Sequence, residues 1–135
     1  MAMNTQDLAA AIPLAGLLGI EVDAATKDEV TGRLRWRQDL CTSVDVMHGG
    51  AIMAFADTLG ALCASLNLPP GAFTTTIESK TNFFRAVRSG EVHGTTRPLH
   101  AGRTTIVVQT DLRDDAGKLV AQTTQTQAVL EPRQS

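Results

Sequence analysis

The chain has no basic excess, no apolar run long enough to span a bilayer, no CxxC pair and no internal repeat. Each absence removes a class of function. Lys and Arg number 12 against 14 Asp and Glu, a formal net charge of −2. A nucleic-acid binder normally carries a positive balance, so that class is disfavoured, while a local basic patch for a small phosphorylated ligand is not. Cys41 and Cys63 stand apart, and the three histidines lack zinc-like spacing, so no metal site is expected. Two unpaired cysteines fit a reduced, cytoplasmic compartment. The N-terminus lacks a basic region followed by an apolar stretch, so no secretory signal is read there. The longest apolar segment is too short for a membrane and carries an acid, so no membrane partner is expected.

What is present fits one domain over residues 1–135, with 43% hydrophobic and 19% charged residues. Residues 4–17 read as a short helix capped by Asn4 or Thr5, with Leu8, Ala11, Ile12 and Ala15 on one face and Pro13 kinking or splitting it. Ile20–Ala25 and Val30–Trp36 read as strands, the second by clean alternation, and Arg37–Met47 as an irregular loop. Ala51–Leu66 reads as a helix that stops before Pro69-Pro70-Gly71. Strand-like runs follow at Phe73–Phe84, Glu91–His100, Thr104–Leu112 and Lys118–Leu130. The segment 132–135 is a tail. Antiparallel strands with one internal helix make the fold class α+β, a curved sheet wrapping an apolar helix.

The chemistry concentrates at His48-Gly49-Gly50 and the helix after them. Asp57 is the only charged residue between Ala51 and Leu66. A carboxylate in apolar surroundings is costly unless partnered, and a protein that keeps one often uses it. Two glycines at a helix start leave backbone N–H groups where negative charge is favoured. Helical spacing puts Ile52, Phe55, Leu59, Leu62 and Leu66 on a bulky side that should meet the sheet. Gly50, Ala54, Asp57, Gly60, Ala61 and Ala64 form a small side. Small residues there suit either close packing against another backbone, such as a second subunit, or room for a substrate beside Asp57.

His48-Gly49-Gly50 with an acid nine positions after the histidine resembles the hot-dog acyl-CoA thioesterases, in particular the phenylacetate-pathway and Arthrobacter-type 4-hydroxybenzoyl-CoA branches. Leu17-Leu18-Gly19-Ile20, Asn82–Val87, Leu99–Thr105 and Leu112–Ala121 match further segments in order. The resemblance covers about residues 15–132. It implies a five-stranded antiparallel sheet around one long central helix, and pairing of subunits into dimers or tetramers with sites between them. It also implies coenzyme A as part of the substrate rather than as a cofactor. By that resemblance the Gly50 N–H, helped by Gly49, holds the thioester oxygen, and Asp57 attacks directly or activates water. His48 orients the loop or bonds near the thioester. The family's usual Gln or Asn six residues before the histidine is Thr42 here, with Ser43 beside it. The helper hydroxyl that some relatives place one turn after the acid is Ala61. Thr76 lies near where other relatives orient water. Arg85, Arg103, Thr104 and Arg133 sit where relatives contact the nucleotide end of coenzyme A, a role that suits arginine's fork of donors. His93 and His100 read as ordinary strand or turn residues.

Three readings compete. The first is an acyl-CoA thioesterase acting on an aryl- or medium-chain acyl-CoA. The second is a non-catalytic acyl-CoA binding or sensing module, favoured by Thr42 and opposed by Asp57. The third, a hot-dog dehydratase or hydratase, lacks its usual motifs here.

Overall fold

A 17-residue helix lies across one face of an antiparallel sheet in the computed structural model, which describes residues 4–132. Helices α1 (Thr5–Ala11) and α2 (Pro13–Leu18) come first, then strands β1 (Glu21–Ala25) and β2 (Val30–Arg35). The long helix α3 is Gly49–Ser65, and four strands follow it: β3 (Phe73–Phe83), β4 (Glu91–Ala101), β5 (Thr105–Arg113) and β6 (Leu119–Leu130). The spatial order is β1-β2-β4-β5-β6-β3, six strands among the described residues. The expected count of five was one short: two runs precede the long helix, four follow it, and each forms its own strand. Of the two outcomes read for residues 4–17, a kink or a split at Pro13, the structure has the split, giving two helices. Pro13 has no N–H to continue the ladder, so α1 ends at Ala11, Ile12 is the extended residue between the helices, and Pro13 opens α2.

Why α3 seats so deeply is legible in two facing glycines. Gly32 on β2 and Gly94 on β4 are register partners. A Cβ at Gly94 would lie 2.5 Å from Leu59 and 3.0 Å from Phe55, and one at Gly32 would lie 3.0 Å from Leu59. The missing side chains form a floor into which Phe55 and Leu59 are pressed, both fully buried. Ile106, Val108, Leu112, Val92 and Leu34 complete the apolar contact from the strands. Full burial of Phe55 or Leu59 is worth about 1.5–3 kcal/mol each.

The far half of the sheet face is polar. Thr96, Thr110 and Thr123 are neighbours across β4, β5 and β6, and Thr81 on β3 pairs with Thr123. Hydroxyls bond at 2.6 Å between Thr96 and Thr110, and at 2.7 Å between Thr81 and Thr123. Next along β6, Gln125 and Gln127 also point inward and are buried. Strand β3 closes the sheet as an edge, with Phe73, Ile77 and Phe83 exposed.

Candidate active site

The loop before α3 sets the helix start. His48 has extended backbone and caps α3: its Nδ1 accepts the Gly50 N–H at 2.7 Å, while its carbonyl accepts from Ala51 and Ile52. The Gly50 N–H expected to hold a thioester oxygen is therefore engaged by the His48 ring. Gly49, the first residue of the helix, is the one whose N–H has no partner among the described residues at this end. An N–H free at a helix start, reinforced by the helix dipole, is a site for a developing negative charge. The spacing that named both glycines could not tell which N–H the capping histidine would take.

The upstream loop holds a rare conformation. Val44 and Asp45 both have φ of 59°, although neither is glycine. The Trp36 indole N–H donates to the Asp45 carbonyl at 3.1 Å, Arg88 donates to the Val44 carbonyl at 3.4 Å, and the Gln38 amide donates to the Asp45 carboxylate at 3.2 Å. Strain held in this way is characteristic of functional loops. Two grooves flank the helix start. Thr42, Gly49, Phe83, Phe84 and Arg85 line one of about 400 Å³. His48, Gly50, Leu14, Leu18, Cys41 and Ala54 line another of about 430 Å³.

Asp57 was expected buried, and the small side of α3 was expected to carry Gly60 and Ala64 with it. The structure separates them. Asp57 lies on the open side with Gly50 and Met53, exposed in the single chain. Gly60 and Ala64 are buried against the protein's own sheet, while Leu66 of the bulky side is exposed. Ile52, Phe55 and Leu59 are buried as expected, and Gly50, Ala54, Asp57 and Ala61 stay open or half-buried, so periodicity misplaced only Gly60, Ala64 and Leu66 on a helix that is apolar nearly all round. Asp57 is nonetheless not fully hydrated. Its Oδ1 accepts a hydrogen bond from Gln125 Nε2 at 2.7 Å. Burial of the carboxyl by its surroundings raises its pKa above the usual carboxylate value, and the Gln125 bond partly offsets the rise. Gln125 escaped the sequence reading. The signal available was the polar alternation Thr123, Gln125, Gln127 on the last strand of the chain, beside the edge strand β3.

Other sequence candidates are dispersed. Thr76 sits on β3, where its hydroxyl donates to Gln127 Oε1 at 3.1 Å. Arg85 follows β3 beside Val120, whereas Arg103 and Thr104 form the β4–β5 turn beside Val129. Ala121 and Ala128, which mark those two ends of β6, are about 23 Å apart along an extended strand. One chain thus does not bring these groups onto one ligand. Arg133 lies outside the described residues. The thiols offer no nucleophile: burial pushes Cys63 up to about 11, and burial also raises Cys41. Glu91, His93 and Asp115 form the one group of possible cation ligands found among the described residues, and Arg33 lies 3.6 Å from Glu91 within it. A resident positive charge there opposes a metal.

Helix start, spaced acid and wrapped sheet together define a class. Residues 45–121 match the family model of the thioesterase superfamily. The chain belongs to that superfamily, has its hot-dog fold, and is a thioester hydrolase. It is similar to the crystal structure of a thioesterase from Haemophilus influenzae, with TM-score 0.87 at 28% identity, over 97% of this chain and 93% of that one. A Haemophilus influenzae protein whose given name places it among the esterases is 34% identical over 102 residues, covering 76% of this chain and 74% of that protein. The 1,4-dihydroxy-2-naphthoyl-CoA hydrolase of Escherichia coli K12 is 31% identical over 85 residues, 63% of this chain and 62% of that enzyme.

Proposed function

We propose that the chain hydrolyses the thioester of an aryl- or medium-chain acyl-CoA to a free acid and coenzyme A, in sites built between two copies of itself. The observation that carries this reading is the placement of a free N–H and an acid on one rigid helix. Gly49 and Asp57 are eight residues apart, so they lie about 12 Å apart along the axis. They cannot both reach one carbonyl. Two antiparallel copies bring the Gly49 of one to the Asp57 of the other. The open stripe of Gly50, Met53 and Asp57, with half-buried Ala54 and Ala61, and the unpaired edge at β3 give a second copy surfaces to cover.

In such a site the thioester oxygen accepts the Gly49 N–H, which draws electrons from the carbonyl carbon. Asp57 either attacks that carbon, giving a mixed anhydride that water hydrolyses once the thiolate has left, or takes a proton from a water that attacks the carbon. The C–S bond then breaks, the thiolate leaves and is protonated, and the acid is released. The apolar groove of Leu14, Leu18, Cys41 and Ala54 suits an uncharged acyl group. Arg85 in the other groove, and Arg103 with Thr104 at the far end of the sheet, suit the phosphates of coenzyme A once two chains assemble. The coenzyme A ester acted on by the Escherichia coli relative is of the same chemical kind.

Release of free thiol from a panel of aryl- and medium-chain acyl-CoAs tests the proposal. Turnover should fall at least about 100-fold in Asp57→Asn, the scale of a lost acid–base or nucleophilic group. Unchanged turnover in that variant removes Asp57 from the mechanism. The missing amide at Thr42 favours one other reading, an acyl-CoA sensor, and tight binding without thiol release across the panel would establish it.

A further inference from the structure

We infer that Gln125 is a positioning residue for Asp57, reaching it from the sheet through a gap that Gly60 keeps open. The inference rests on the hydrolase reading above. Gln125 is fully buried on the helix-facing side of β6, yet its Nε2 lies 2.7 Å from a carboxylate on the open side of α3. The side chain passes Gly60 on the way. A Cβ at that position would overlap the Gln125 carboxamide oxygen and lie 2.6 Å from its carbon. Gly60 is one helical turn after Asp57, so the gap opens beside the acid.

This arrangement has no stabilising rationale of its own. Glycine weakens a helix interior. The Gln125 Oε1 is buried without a hydrogen-bond partner, which also destabilises. An aliphatic side chain at 125 and alanine at 60 would pack the same interface without either defect. What the pair achieves is a donor fixed on one oxygen of Asp57. That fixes the carboxylate's rotamer, leaves Oδ2 free for water or the thioester, and favours the ionised form a base or nucleophile needs. Burial and this bond are the two causes of the acid's shift, with no charged group among them. The amide also stands in a chain whose loop carries Thr42 where a Gln or Asn was expected.

Two variants remove the bond by different means. Gln125→Met keeps length and volume and deletes the donor. Gly60→Ala leaves Gln125 intact and expels it. The Asp57 carboxyl is titrated by ¹³C NMR in both, and thiol release from the best acyl-CoA of the panel is followed against pH. In both variants Asp57 should titrate at higher pH, and the acid limb of the kcat/KM profile should move up with it. The kcat should fall about tenfold, the scale of one charge-assisted hydrogen bond at a reacting group. KM should stay within about twofold, because Gln125 is sealed beneath the helix and meets no substrate. An Asp57 titration unchanged in both variants overturns the inference. So does a shifted carboxyl with an unmoved acid limb and kcat, which leaves a merely structural bond. Unaltered protein that releases no thiol sinks the hydrolase reading instead, and the carboxyl titration, which needs no substrate, still decides whether Gln125 holds Asp57.

Discussion

At the scale of single residues, Asp57 is an acid held against stability. Its folded-state pKa lies above the unfolded value because burial disfavours the charge more than Gln125 restores it. The native state therefore binds its proton more tightly than the unfolded chain does. Stability from this group is fully present below the unfolded pKa and is lost as pH rises through the folded one. Asp57→Asn keeps a carbonyl oxygen to accept from Gln125 and removes the charge. Thermal melts should show it more stable than the parent at pH 7, with the gain shrinking as pH falls into the carboxylate range. A parent more stable than the variant at pH 7 would contradict the assigned direction. The same substitution that is expected to lower turnover at least about 100-fold should therefore raise the melting temperature, as expected where activity is maintained at some cost to stability. Asp115 behaves in the opposite sense: the bond from His93 at 2.8 Å lowers its pKa, so its contribution is present above the unfolded value and lost as pH falls through the folded one.

At the scale of elements, the loop before α3 stores strain that a substitution can release. Val44 is β-branched, 77% exposed and left-handed, and its side chain gains little from packing there. Val44→Asn places a residue that tolerates this backbone in the same position. It should stabilise the protein by about 1 kcal/mol, read as a higher denaturant midpoint with an unchanged m value. A lower midpoint would mean that Val44 is covered by something, most simply a second chain. This loop also marks where the sequence stopped being informative. Strands came through because alternation and turn residues agree, as in Val30–Arg35 and at Asp114–Gly117. The helix start came through to within two residues because two glycines precede an apolar run, while its capping by His48 did not. The loop 37–47 carries no period, and nothing in Val44 or Asp45 announces a left-handed backbone that Trp36 and Arg88 hold from a distance. Gly60 was put on the wrong side of the helix for a related reason. On α3 the partner of Gly60 is a glutamine 65 positions later, and no local pattern encodes that pairing.

At the scale of the whole molecule, the proposed chemistry makes a demand that one chain cannot meet, because the Gly49 N–H and Asp57 lie too far apart on α3 to serve one carbonyl. If the Gly49 N–H and Asp57 serve one thioester from two chains, each can be removed separately and restored by mixing. Asp57→Asn removes the acid. Gly49→Pro removes the N–H at the first helical position, where proline is tolerated, and His48 already has the extended backbone that precedes proline, with φ −63° and ψ 134°. A Cβ at Gly49 would lie 3.1 Å from the exposed ring of Phe83, which must shift by a few tenths of an ångström. Each variant alone should be inactive. Unfolded together and refolded at equal amounts, random pairing makes half of the dimers mixed, and each mixed dimer has one intact site of its two. Thiol release should then recover to roughly a quarter of the parent's, given a closed two-fold assembly. Ile77→Lys, which places a charge on the exposed edge strand, should lower the mass seen by light scattering and abolish the recovery together. Recovery absent while both variants fold and assemble would put the N–H and the acid back in one chain, a placement the rise of an α-helix does not allow for a single carbonyl, so some donor other than Gly49 would have to hold the thioester oxygen.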